Sequence, residues 1–299
     1  MDRKLYSKSK IGIVGFGFVG SAVAHGFSLC ADIKIYDKYN NVFDSLEKTV
    51  ESSDFLFVSV PTPMTDDGNQ NLSDLNDVVE NIVRIASKRK IVILKSTVVP
   101  GTTRNYAKKF SNHDFVFNPE FLTERSAKLD FINTARIILG GDDETVLNRV
   151  ETLYRTRFSH TPIFKTTWEG AETVKYMANT FFVVKVSFLN EIFDIAEFIN
   201  VPYNDLRDMW LADSRIGNSH TDVPGHDFQR GVGGKCFPKD LKSFIKWGEE
   251  NNFKMEMFKA ADSVNERVRK VKDWENIKGA TTKYNYKLNL SGKEECNEN

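Results

Sequence analysis

A short apolar run, Ile11-Gly12-Ile13-Val14, leads into Gly15-Phe16-Gly17-Phe18-Val19-Gly20, and a helical pattern from Ser21 to Cys30 follows. Strand, glycine turn and helix in that order, together with a second strand that ends in an acid, point to a dinucleotide-binding βαβ unit. Each glycine has its own task. Gly15 makes the tight turn, Gly17 lets the backbone approach a pyrophosphate, and Gly20 lets the helix pack closely. The helix N-terminus then faces the phosphates. A second strand, Ile33-Lys34-Ile35-Tyr36, ends in Asp37. That carboxylate is placed to accept from a ribose 2′-hydroxyl and to repel a 2′-phosphate, which favours NAD over NADP. Lys38, next door, weakens the preference.

Further strand-like runs follow at 55–60, 91–95, 115–117 and 136–139, with helical patterns at 74–87 and 145–158. Alternation of this kind predicts a doubly wound α/β sheet. Ligands of such sheets sit beyond the carboxyl ends of the strands. Three proline-containing turns fall there: Pro61-Thr62-Pro63, the stretch Ser96 to Thr103, and Asn118-Pro119-Glu120-Phe121-Leu122-Thr123-Glu124. Thr97 reads equally well as a site hydroxyl or a local turn cap, and Glu120 as a site acid or a solvated helix start.

From Trp168 to Asn200 the pattern is one long amphipathic helix, with Lys175 and Asn179 a turn apart on one face. Patterns at 205–212, 241–251 and 255–271 make the second half mainly helical. Within it lies Gly231-Val232-Gly233-Gly234-Lys235-Cys236-Phe237-Pro238-Lys239-Asp240. This is a glycine loop feeding a helix start, with Pro238 suited to the first turn. The helix dipole and the ammonium groups of Lys235 and Lys239 would favour thiolate at Cys236. Asp240 follows one turn along.

Charge and cysteine content exclude other classes. Basic and acidic residues balance at 41 each, so no whole-molecule field draws the chain to nucleic acid or membrane. The three cysteines, Cys30, Cys236 and Cys296, are scattered, which fits a reducing, cytoplasmic setting and no metal centre. The stretch Ile11 to Cys30 has the pattern of a secretory leader, but the glycine spacing accounts for it better. The five histidines are expected in surface or capping roles.

In this order and spacing, the segments Gly15–Gly20, Val60–Pro63 with Asp67-Gly68, Lys95–Thr103, Asn118–Glu124, Glu172–Glu191, Gly231–Asp240 and Val264–Arg267 resemble the UDP-glucose/GDP-mannose dehydrogenase family. The resemblance implies oxidation of C6 of a nucleotide sugar from alcohol to carboxylate, with NAD as oxidant and a cysteine thioester. It implies catalytic roles for Cys236, Lys175, Asn179, Asp240, Glu120 and Thr97. Cofactor contacts would come from Gly15, Gly17, Phe18, Val19, Gly20, Asp37, Lys38, Pro61, Thr62, Thr97 and Glu124. Substrate contacts would come from Glu120, Phe121, Leu122, Lys175, Asn179, Arg215 and Gly233. A homodimer through the central helix is also implied.

The domain layout expected on this basis is an NAD-binding Rossmann-type domain over 1–166, a helical dimerisation and catalytic domain over 167–272, and a polar tail or small appendage over 273–299. Members of the family usually continue into a C-terminal nucleotide-binding domain, whereas this chain stops soon after the helical one. The segment after Arg215-Ile216-Gly217 also looks longer than in many members. Two other readings of the same fold remain. One is a two-electron dehydrogenase of the 6-phosphogluconate or hydroxyacid type, which needs no Cys236. The other is a non-catalytic NAD-binding partner of a full-length homologue.

Overall fold

Seven strands form one sheet in the order β2-β1-β3-β4-β5-β6-β7 in the computed structural model, which describes residues 8–282. Its elements run β1 (Ser9–Val14), α1 (Phe18–Phe27), β2 (Ala31–Tyr36), α2 (Leu46–Glu51), β3 (Phe55–Val58), α3 (Ser73–Ile85), β4 (Ile91–Leu94), α4 (Thr102–Lys109), β5 (Asp114–Phe117), α5 (Ala127–Ile132), β6 (Ile137–Gly140), α6 (Glu144–Arg155) and β7 (Ile163–Thr166). All neighbours are parallel except β5 and β6, which run antiparallel and share one bridge, Phe117 opposite Gly140. The expected α/β sheet is therefore present.

The strands read as continuous apolar runs because both faces are covered. Ile11, Ile13, Phe55, Phe57, Ile91 and Ile93 face one core with Phe27 and Tyr154. Val14, Leu56, Val58, Val92 and Leu94 face the other with Leu75, Val79 and Tyr106. Each such side chain contributes about 1.5–3 kcal/mol on burial, enough in sum to fix strand register.

After β7 the described chain is helical: α7 (Trp168–Phe198), α8 (Tyr203–Leu211), α9 (Phe237–Glu250) and α10 (Glu256–Val268). The chain divides into two compact units. Among the described residues, one runs to Thr62 and resumes from Leu72 to Lys175, and the other takes Pro63–Asn71 and the chain from Tyr176 to Thr282. The division thus falls inside α7, not before it. In the second unit Val183, Val232, Leu241 and Ala261 form one apolar cluster, and Leu189, Ala196, Tyr203 and Val223 another.

One expectation, that of the histidines, needs correction. The described part of the segment read as a polar tail or small appendage is packed: Trp274 and Ala280 are buried with Met64, and the Met64 amide donates to the Ala280 carbonyl at 2.9 Å. The rest of that segment, Cys296 included, lies outside the described residues. His113 is not at the surface but buried, its Nδ1 accepting from the Lys90 amide at 3.1 Å. His220 stacks on Phe182 with ring centroids 4.2 Å apart.

Candidate active site

In the first unit the glycine turn joins β1 to α1, and α1 begins at Phe18, inside the motif. Gly15 has φ +89°, and a Cβ there would lie 2.7 Å from the Ser59 carbonyl oxygen, so only glycine fits. Gly17 is the N-cap of α1 and has no side-chain capping bond. A Cβ at Gly17 would meet nothing within 4 Å. The start of α1 is therefore free of side-chain caps and has open space at Gly17, which is compatible with an anion at the helix N-terminus.

Asp37, expected to meet a ribose, is engaged by two main-chain amides. Its Oδ2 accepts from the Phe16 amide at 2.7 Å and its Oδ1 from the Tyr39 amide at 3.0 Å. The carboxylate thus clamps the glycine turn while retaining acceptor capacity for a hydroxyl. Lys38 turns to Asp74, 3.5 Å away. Pro61 is exposed, and Thr62 is buried with its hydroxyl donating to the Thr97 carbonyl at 2.9 Å.

Beyond β4, Ser96 donates to the Val60 carbonyl at 2.7 Å, so the Thr62 and Thr97 turns are tied twice. The later part of that turn is gripped by Glu172 of α7. Its carboxylate accepts from the Gly101 amide at 2.6 Å, the Thr103 amide at 2.8 Å and the Thr103 hydroxyl at 2.6 Å. Burial pushes the Glu172 carboxyl up to about 7, against the pull of those three bonds.

Beyond β5, Glu120 is buried and meets Lys175. The ammonium donates to Glu120 Oε1 at 2.7 Å and to its main-chain oxygen at 2.8 Å, while Oε2 accepts from the Leu122 amide at 2.7 Å. The Phe121 ring lies under the Arg136 guanidinium at 4.1 Å. Glu124 is exposed and opens a 3-10 turn. A second lysine is buried close by. Lys95 donates to Asn118 Oδ1 at 2.8 Å and to its carbonyl at 3.2 Å, and burial pushes its ammonium down to about 7. The Glu120 charge opposes that shift and the Lys175 charge adds to it.

In the second unit Cys236 is the N-cap of α9, with Pro238 in the first turn. It is partly exposed and in no disulfide. The Asp240 amide donates to the Cys236 carbonyl at 2.8 Å, closing the first helical turn. The buried Asp240 carboxylate accepts from Asn179 Nδ2 at 2.6 Å and from the Lys239 ammonium. Lys239 is therefore paired with Asp240, which offsets the charge expected to favour a thiolate. Gly233 packs against the Arg269 guanidinium. Arg215 is exposed and forks onto Asp213, at 2.9 and 2.5 Å, with its main-chain amide bonded there as well.

Sequence reasoning missed Lys95 and Glu172 as individual residues. Each lay inside a motif already singled out, but its partner is 23 or 69–71 residues away.

The NAD binding domain of the UDP-glucose/GDP-mannose dehydrogenase family matches residues 34–158, and the family's central domain matches residues 169–267. The chain belongs to this family. It is 30% identical to the UDP-glucose 6-dehydrogenase TuaD of Bacillus subtilis, over 87% of this chain and 63% of that protein. It is 32% identical to the UDP-glucose 6-dehydrogenase YwqF of the same organism, over 75% of this chain and 51% of that one. It thus spans between half and two thirds of the length of these relatives. Among solved structures, a UDP-glucose dehydrogenase of Pyrobaculum islandicum superposes with a TM-score of 0.77 at 29% identity, covering 89% of this chain and 70% of that one. The cofactor is NAD. Among the described residues there is no metal-binding cluster and no helix long and apolar enough to cross a membrane.

Proposed function

We propose that the chain oxidises the C6 hydroxymethyl of a nucleotide sugar to a carboxylate, with UDP-glucose as the leading substrate and a thioester on Cys236 as intermediate. The observation that carries this reading is the placement of Cys236 at the N-cap of α9, with the buried Asp240–Asn179 pair one turn on. A thiol there has the positive helix end beside it, which stabilises the thiolate. NAD, when bound, supplies the hydride acceptor for each of two oxidations. The thiolate adds to the C6 aldehyde carbon, giving a thiohemiacetal, and loss of the second hydride leaves a thioester that water cleaves to acid and free thiol.

Asn179 donates to the oxyanion of these adducts, a contribution of ~3 kcal/mol where donors are fixed in place. Asp240 accepts from that amide and so holds it in place. Lys175 and Glu120 exchange protons with the C6 oxygen and with the hydrolytic water, which Thr97 helps to hold. Glu124, Lys38, Pro61, Thr62, Phe18 and Val19 border the cofactor, while Phe121, Leu122, Arg215 and Gly233 border the sugar nucleotide.

The chain acts as a homodimer through α7. Met177, Phe181, Phe188, Ile195 and Phe198 are all exposed along that helix, and 181, 188 and 195 recur every seven residues. Sedimentation of Phe188→Lys beside wild type tests this: a wild-type monomer would refute it.

The decisive assay offers UDP-glucose, GDP-mannose and UDP-N-acetylhexosamines in parallel and counts NADH per sugar consumed. Two NADH per sugar are expected, with Cys236→Ser forming no acid yet still binding NAD. One NADH per sugar, or two from the Cys236→Ser variant, would sink the thioester route.

A further inference from the structure

Three consecutive residues of the glycine loop are each engaged by one residue of the chain that follows α9. The Val232 amide donates to Asn265 Oδ1 at 2.7 Å, and the Val232 carbonyl accepts from Asn265 Nδ2 at 3.2 Å. One side-chain amide thereby satisfies both backbone groups of that residue, as a neighbouring strand would. Gly233 comes next, and a Cβ there would overlap the Arg269 guanidinium. Gly234 follows with φ +75°, and its amide donates to Asp273 Oδ2 at 2.9 Å. The three partners, Asn265, Arg269 and Asp273, recur every fourth residue.

We infer that Asn265, Arg269 and Asp273 are positioning residues that set the register of the loop delivering Cys236 to the start of α9. The inference rests on the reading of Cys236 as the nucleophile. Arg269 is the centre of the set. It is 4% exposed, and its guanidinium donates to Asp273 Oδ1 at 3.0 Å and to the Val271 carbonyl at 2.9 Å, and pairs with Asp227 Oδ2 at 2.6 Å. Two carboxylates compensate this buried cation, so its place is fixed. The same geometry explains the glycines: a side chain at 233 and the guanidinium cannot share the space. Cys236 lies two residues beyond Gly234, so an error in the loop passes to its sulfur. Misplacement of ~1 Å can cost a hundredfold in rate.

Asp273 is the member open to substitution, because it is about one-third exposed and its removal still leaves Asn265 bonded to Val232 and Arg269 paired with Asp227. Asp273→Ala and Asp273→Asn are compared with wild type in three measurements: amide hydrogen exchange of the 231–236 peptide, kcat and KM for NAD and sugar nucleotide, and the unfolding midpoint. Faster loop exchange is expected in Asp273→Ala, with kcat reduced about tenfold or more and KM for NAD within about twofold. Asp273→Asn keeps an oxygen for the Gly234 amide and should recover part of both. Unchanged loop exchange in Asp273→Ala overturns the anchoring. Faster exchange with kcat within about twofold of wild type overturns the link to the nucleophile. Should Asp273→Ala fail to fold, Asp273→Asn decides alone: wild-type exchange and wild-type kcat together refute the proposal, and a shift in both supports it. A wild type that reduces no NAD with any sugar nucleotide would defeat the proposed activity, while the exchange rates would still support or refute the anchoring.

Discussion

Lys175 holds Glu120 at two points, donating from one ammonium to the side-chain carboxylate at 2.7 Å and to the main-chain carbonyl at 2.8 Å. Both residues are buried, so each charge depends on the other. Lys175→Met leaves an unpaired carboxylate in the interior and should destabilise the protein by about 3–5 kcal/mol. Adding Glu120→Gln removes the orphaned charge and should restore much of that loss, while turnover stays abolished. Urea unfolding of the two singles and the double checks this, and additive losses would mean the pair is not energetically coupled.

Lys95 gives a pH signature. Its ammonium sits at about 7, against an ordinary 10.5. Between those values the unfolded chain binds a proton that the folded chain does not, so stability falls as pH drops from 10.5 towards 7 and the cost is constant below. Relative to Lys95→Met, the wild type should therefore lose on the order of 3–5 kcal/mol across that window. Denaturation midpoints of both proteins measured from pH 10 to 6 test this, and a difference that stays flat would contradict the assignment.

Glu172 acts in the opposite direction. Its carboxyl titrates near 7 in place of 4.5, so the folded state binds the extra proton between those values. Stability relative to Glu172→Gln should rise as the pH falls from 7 to 4.5, by roughly 3 kcal/mol at most. Above pH 7 the glutamine variant should be the more stable one, provided its amide still accepts from the Gly101 and Thr103 amides. Thermal melts at pH 5 and pH 8 distinguish the two.

Asp37→Ala removes both the clamp on the Phe16 amide and the acceptor for a ribose hydroxyl. NAD affinity should fall about ten- to a hundredfold, as for one lost charge-assisted hydrogen bond. Discrimination against NADP should relax. Fluorescence titration with both dinucleotides tests it, and a wild type that binds them equally would refute the role given to Asp37.

Much of the fold was legible because its strands are buried on both faces. Runs such as Ile91–Leu94 are apolar without interruption, and the glycine motif announces the first turn. β7 escaped notice because Ile163–Thr166 is short and no residue in it is fully buried. α4 carries no clear pattern, since Thr102–Lys109 is polar and its first two residues belong to the turn Ser96 to Thr103. Cys236, Asp240, Lys175 and Asn179 stood out through local spacing. Lys95, Glu172, Asn265 and Arg269 carried no such signal, because what they do depends on residues that only the fold brings within reach.

The single bridge between β5 and β6 has a consequence for local unfolding. Where two antiparallel strands would normally exchange a ladder of amide bonds, side chains span the joint: Asn118 Nδ2 reaches the Ile138 carbonyl at 2.8 Å, and the Tyr154 hydroxyl reaches Asn118 Oδ1 at 2.5 Å. Loss of the Asn118 contacts would therefore loosen the joint between the two strands, while Ile137, Leu139 and Tyr154 still hold β6 and α6 in the core shared with Ile11 and Phe57. Glu120 lies two residues beyond Asn118, so the carboxylate that Lys175 holds follows directly on the residue that joins the strands.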